Sequence, residues 1–294
     1  MFKMSAKRRE RHAPAVFHET CMKKEKFFNL LIISLFLISV TLILYPFAAN
    51  LYNGMVQSRL VTSYEESISG ISETDYAQYI EAAQAWNEEL YAYVEPSYFP
   101  EDIADTDIYE SLLNINGDGM MGYVVIPKID VTLPIYHYTS EEVLQKGAGH
   151  LSASALPVGG ESTHCVITAH RGLPTAQMFT DLDRMETGDV FYLKVLGETL
   201  AYEVIRIQEV SPDETQSLLP AAGEDLCTLV TCTPYGINSR RLLVTGSRTA
   251  YAGEKETLSD VSAAEKTWAR YWYLPVAAAA EIVIFLFIKR RETE

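Results

Sequence analysis

A closed, antiparallel or mixed β-barrel flanked by two membrane-spanning helices is the fold class this sequence predicts. Three observations predict it. From Met120 onward, short apolar and β-branched runs alternate with turn residues. Helical periodicity within that stretch is sparse, which disfavours a βαβ sheet. Two long apolar runs lie outside it, one near each end of the chain.

The composition admits such a fold and excludes others. Of 294 residues, 48% are hydrophobic and 21% charged, which rules out a disordered or collagen-like chain. The net charge of −15 is unevenly spread. Residues 1–49 hold 8 basic and 3 acidic side chains, whereas residues 50–270 hold 13 and 33. A middle that acidic cannot neutralise a phosphate backbone, so no nucleic-acid partner is expected. Four cysteines are too few for a disulfide scaffold.

In chain order, residues 1–26 form a basic arm, and residues 27–49 are uncharged. Twenty-three helical residues rise roughly 35 Å, enough to cross a bilayer. Basic residues cluster before this run, and the next one after it is Arg59. The positive-inside rule therefore predicts a cytoplasmic arm and an external middle. The run reads as an uncleaved signal-anchor, with cleavage near Ala48 and Ala49 as the alternative.

In residues 50–119, positions 74–93 carry helical spacing through Tyr79, Ile80, Ala83, Trp86 and Leu90, with Ser72 or Thr74 as cap. Residues 91–116 read as a long loop ending in the Asn116-Gly117-Asp118-Gly119 turn. Strands are predicted at 121–127, 131–136, 164–170, 189–195, 199–210, 227–232 and 241–247, with short helices at 140–146 and 175–185. A linker (251–270) leads to a second apolar run, 271–288, and a tail, 289–294, bearing Lys289, Arg290 and Arg291. The same charge rule returns that tail to the cytoplasm, giving a two-span membrane protein with its 120–250 barrel outside. Glu281 is the exception in the second run. It is either a residue without a role or a contact to the first span.

Three residues carry the chemistry. Cys232 closes a strand before the Thr233-Pro234-Tyr235-Gly236 turn, and His170 closes another before Arg171 and Gly172. Arg241 opens the strand nine residues after Cys232, so a hairpin sets the two side by side. A thiol with a pKa of ~8.5 becomes a nucleophile when an imidazole or a cation favours the thiolate. An imidazolium can protonate a leaving amine, and a guanidinium can hold an oxyanion. The bland alternative is a buried Cys and a hydrogen-bonded strand-end His.

The wording of these segments adds to the spacing. Thr228-Leu229-Val230-Thr231-Cys232-Thr233-Pro234-Tyr235-Gly236-Ile237-Asn238, followed by Arg240 and Arg241, closely resembles the signature of the class C, pilin-assembling sortases. Ala169-His170-Arg171-Gly172-Leu173-Pro174 resembles their catalytic-histidine segment. The resemblance spans about residues 109–248. It implies an eight-stranded sortase barrel and a cysteine transpeptidase with Cys232 as nucleophile, His170 as general acid and Arg241 on the substrate backbone and oxyanion. Arg240 is the less favoured alternative to Arg241. Thr231, Thr233, Tyr235 and His164 are the implied substrate contacts.

The implied partners are secreted pilins with an LPxTG-like sorting signal, an acceptor pilin lysine and the bilayer. Neither cofactor nor metal is expected. His164 and His170 stand too far apart on one strand for a shared ion. The expected departure is the lid that many class C members place over the cysteine with an Asp-Pro-aromatic motif. Here Pro96, Tyr98 and Phe99 form a degenerate counterpart, or the lid is absent. The functional alternatives are a housekeeping wall-anchoring sortase, a cysteine peptidase and a structural wall protein.

Overall fold

A computed structural model describes residues 15–93, 106–251 and 279–282. The chain divides into two compact units, Met1–Phe47 with Trp268–Glu294, and Ala48–Thr267. The first unit contains the apolar part of helix α1 (Ala15–Ser69). From Phe27 that helix is long and apolar enough to cross a membrane. Within this unit, Ser39 Oγ donates to the Glu281 carboxylate at 3.0 and 3.2 Å. The contact to the first apolar helix that the sequence leaves open is therefore present. The rest of the second apolar run lies outside the described residues.

The second unit is the expected eight-stranded closed barrel. Its strands are β1 (Met120–Ile126), β2 (Val131–His137), β3 (Ala148–His150), β4 (Thr163–Thr168), β5 (Val190–Val195), β6 (Glu198–Val210), β7 (Asp225–Thr233) and β8 (Arg240–Thr249). They close in the order β1-β2-β3-β4-β7-β8-β6-β5. Most pairs are antiparallel, but β2–β3 and β4–β7 are parallel. Alternation drives closure: Phe191, Leu193 and Val195 of β5 are buried, with half-buried residues between them. They join Val124, Ile126, Ile135, Ile167, Leu229 and Val244 in one core.

Outside the barrel lie α2 (Glu73–Tyr93), α3 (Thr106–Ser111) and α4 (Glu141–Lys146). Helix α1 also runs on beyond its apolar part, and its Tyr64 is fully buried against the barrel. The Tyr64 hydroxyl donates to Met121 O at 2.8 Å and accepts from Leu196 N at 3.1 Å, tying the helix to β1 and to the β5–β6 turn. Helix α3 is fastened by His137 of β2. Its ring nitrogens face Leu112 O and Gly119 O, each at 2.9 Å. Burial pushes the His137 pKa down, so the ring is neutral. It can then donate to only one carbonyl at a time.

Three expectations need correction. Residues 175–185 are not a helix: Met178 has a left-handed φ of 42°, which no helix accommodates, and only a short 3₁₀ turn, Leu182–Arg184, forms. The expected 91–116 loop contains α3. The short β3 is an addition to the expected strands, because Ala148, Gly149 and His150 have little strand propensity of their own. Close packing selects that segment instead: a Cβ on Gly149 would meet Tyr138 O at 2.2 Å.

The Tyr64 bridge yields a prediction. Tyr64→Phe leaves the buried Leu196 N–H unpaired, at a cost of about 1–3 kcal/mol. Thermal unfolding of the full chain in detergent should show a lower midpoint, whereas Tyr52→Phe at an exposed position of the same helix should not.

Candidate active site

Register brings the three candidate residues, His170, Cys232 and Arg241, toward one another. Cys232 and Arg241 are direct cross-strand partners in the β7–β8 pair. Parallel β4 and β7 pair Thr168 with Val230. Two bonds carry this pairing past the end of β4: Ala169 N donates to Val230 O at 3.1 Å, and Thr231 Oγ1 donates to Ala169 O at 2.8 Å. The next residue along, His170, thus comes level with Cys232. Directly paired residues share a sheet face, so Cys232 and Arg241 belong to the face that carries Val230 and Leu243, and the two bonds beyond β4 carry the chain at His170 to the same end of the strands.

Each residue is held by its own surroundings. His170 O accepts from Phe179 N at 3.0 Å, and Phe179 is fully buried. The His170 ring is 23% exposed, and its Nε2 lies 3.4 Å from Glu141 Oε1. Cys232 is half-buried with a free thiol. The Arg241 guanidinium donates through Nη1 to Asn238 O at 3.3 Å and Arg240 O at 3.2 Å, which draws it onto the β7–β8 loop. Arg240 pairs with Thr233 rather than Cys232, and its Nη2 donates to Glu209 O at 2.7 Å. The cross-strand partner of the thiol is therefore Arg241, as the nine-residue offset predicts.

The remaining candidates separate. Tyr235 is 60% exposed in the loop beyond Cys232. Its ring lies over Gly172, where a Cβ would meet it at 3.0 Å, and Gly172 also has a φ of +82°. That glycine lets the loops after β4 and β7 approach. Thr231 and Thr233 are near the thiol but buried. Thr231 ties β7 to Ala169, and Thr233 Oγ1 donates to Glu209 Oε1 at 3.2 Å.

His164 is not brought to the group, which corrects its expected place among the substrate contacts. It sits at the far end of β4, buried, with Nδ1 3.0 Å from Leu219 O and Nε2 2.7 Å from Thr228 Oγ1. Neutral imidazole satisfies both bonds by donating to the carbonyl and accepting from the hydroxyl, which in turn contacts Thr245 Oγ1 at 2.9 Å. Pro96, Tyr98 and Phe99 lie outside the described residues.

Sequence reading misses several supports. Arg171 forms an ion pair with Asp183, and its Nη1 donates to Thr233 Oγ1 at 3.4 Å. Asn53 of α1 donates to Thr175 O at 2.9 Å, bracing the loop that follows His170. Glu141 belongs, by its sequence, to no more than a short helix. No periodic signal marks any of these, because each acts across a large sequence separation. Cys165 and Cys227 face one another as β4–β7 partners, both buried and free. Burial pushes the Cys227 thiol up, which keeps it protonated. Among the described residues, no cluster of His, Cys, Asp and Glu could hold a metal ion.

Comparisons with known proteins agree on the fold and on these segments. A family model described as a Sortase domain matches residues 124–249. The curated Sortase A of Bacillus anthracis is 23% identical over 229 residues, covering 76% of this chain and 96% of that protein. Among solved structures, sortase C1 from Streptococcus agalactiae is 42% identical with a TM-score of 0.62, covering 66% of this chain and 99% of that one. Sortase C from Streptococcus pneumoniae is 45% identical with a TM-score of 0.57, covering 66% and 97%. Sortase C-1 from Actinomyces oris is 47% identical with a TM-score of 0.55, covering 60% and 99%.

The buried His164 yields a pH prediction. Burial, aided by the nearby charge of Arg206 and opposed by the Leu219 carbonyl, pulls its pKa from 6.5 down to about 4. Between those values the unfolded chain binds the extra proton. This contribution to stability is therefore complete above pH 6.5 and is lost as pH falls toward 4, up to about 3 kcal/mol. Unfolding midpoints between pH 7 and pH 4.5 should fall less steeply for His164→Asn than for the wild type.

Proposed function

Because the chain belongs to the sortase family of cysteine transpeptidases, within its class C, we propose that it joins pilin subunits through LPxTG-like sorting signals outside the cell membrane. The single observation that carries this reading is the convergence of His170, Cys232 and Arg241 at one end of the β4–β7–β8 strands.

In this mechanism the Cys232 thiolate attacks the carbonyl carbon of the sorting-signal Thr. Arg241 turns from the loop carbonyls to the substrate backbone and steadies the oxyanion. The Thr–Gly bond breaks, and the His170 imidazolium protonates the departing Gly amine, leaving a Cys232 thioester. A lysine ε-amine from the next pilin then attacks the thioester. Its proton passes to the neutral imidazole, an amide forms and the thiolate departs. Tyr235 and the segment around Thr231 and Thr233 border the groove that receives the signal.

The class assignment favours pilin joining over wall anchoring. The curated relatives carry Sortase A and Sortase D names at 23–30% identity, whereas the three class C structures above stand at 42–47%. The Streptococcus pneumoniae structure is described as giving insight into pilin substrate specificity for that enzyme. The proposed organisation is the one that charge and hydropathy predict: cytoplasmic arm 1–26, span 27–49, external region 50–270 with its barrel at 120–250, span 271–288 and cytoplasmic tail 289–294.

The test is mass spectrometry of the full chain in detergent after incubation with an LPxTG peptide and a lysine analogue. An acyl adduct on Cys232 and an amide product are expected, with both lost in Cys232→Ala. Arg241→Ala should slow turnover by about 10²-fold or more. An amide product persisting in Cys232→Ala would remove the nucleophile assignment. Free acid as the sole product despite excess amine would indicate a peptidase.

A further inference from the structure

One acidic neighbour of the His170 ring has no task in the mechanism above. Glu141 opens α4, and its Oε1 lies 3.4 Å from His170 Nε2. That nitrogen is buried and has no hydrogen-bond partner among the described residues. The carboxylate itself is 72% exposed but not free to wander. Gln145, one turn further on, donates from Nε2 to the same Oε1 at 2.7 Å. Ser140 caps the helix by accepting from Val143 N, and Lys146 is occupied with Glu142. The Gln145 hydrogen bond, together with the charge of the nearby imidazole, holds the Glu141 carboxyl below the usual carboxylate range.

We propose that Glu141 is a positioning residue that orients the His170 ring through Nε2 and stabilises its protonated form, leaving Nδ1 to face the Cys232 thiol. The inference rests on the Cys232–His170 assignment made above. A ring with two different tasks needs its tautomer and orientation set by a third group, and an acceptor on the far nitrogen does this. A separation of 3.4 Å is long for a hydrogen bond, but catalytic contacts in ligand-free sites often tighten only when substrate binds. The other charged or titratable groups around the ring do not substitute. Cys232 on β7 is its proposed partner, Arg241 on β8 is cationic, and Arg171 is engaged by Asp183.

The carboxylate should raise the population of the thiolate–imidazolium pair, the species that reacts below the thiol's own pKa. The full chain in detergent is alkylated with iodoacetamide from about pH 5 to about pH 10, and the Cys232 peptide is quantified by mass spectrometry. The rate of wild-type protein should show a plateau below about pH 9. Glu141→Gln should lower that plateau by about three- to tenfold, move its lower limb to lower pH, and leave the rate above about pH 9 unchanged. Glu141→Asp should restore part of the plateau. A purely structural effect would change the alkaline rate as well.

His170→Ala separates this inference from the one beneath it. A plateau lowered by His170→Ala but unchanged by Glu141→Gln overturns the role of Glu141 alone. A plateau unchanged by both overturns the Cys232–His170 pair and this inference with it. If Glu141→Gln fails to fold, salt applied to wild-type protein decides. Screening at about 1 M should lower the plateau in the same way, and an unaffected plateau overturns the proposal.

Discussion

Everything at the candidate site depends on the pairing of β4, β7 and β8. One parallel and one antiparallel ladder meet at β7; their registers pair residue 232 with 241 and bring the end of β4, just before residue 170, to the same end of the strands. A slip of one residue in either ladder would turn a member of the group to the opposite face, because side chains alternate along a strand. The two bonds beyond β4, from Ala169 N and Thr231 Oγ1, guard against such a slip where the strand itself has ended. The buried hydroxyl of Thr231 thus helps to fix register while its own hydrogen bond is satisfied by Ala169 O.

Along that face, one type of environment gives way to another. At one end His164, Thr228 and Thr245 form a closed hydrogen-bonded row, and burial keeps the imidazole neutral. Val166, Val230 and Leu243 come next, covered by Leu218 from the β6–β7 connection. At the other end the ring of His170 and the thiol of Cys232 are partly open. The same residue type is structural at position 164 and chemical in prospect at 170. The difference is solvent access and the presence or absence of satisfied partners on both nitrogens.

The helices contribute by bracing. Tyr64 of α1 joins β1 to the β5–β6 turn, and Asn53 of the same helix holds the loop after His170. Helix α4 sets Glu141 beside the imidazole. These contacts link the core to the candidate site through helices packed on the barrel.

Much of this protein is legible in its residues. Short-period strands announce a barrel, the charge asymmetry and apolar runs announce a membrane segment, and the nine-residue spacing of Cys232 and Arg241 announces their pairing. Those features are local, set by alternation and hairpin length. Chain proximity does not reveal which strands are parallel neighbours, so the approach of His170 to Cys232 rests on resemblance until the β4–β7 register is known. Nor does it separate His164 from His170, assign Glu141 to an imidazole 29 residues away, or show that residues 175–185 stay irregular. Local sequence determined the strands and the candidate side chains. Long-range pairing decided which of those side chains meet, because burial and ladder register arise only when distant segments close the barrel.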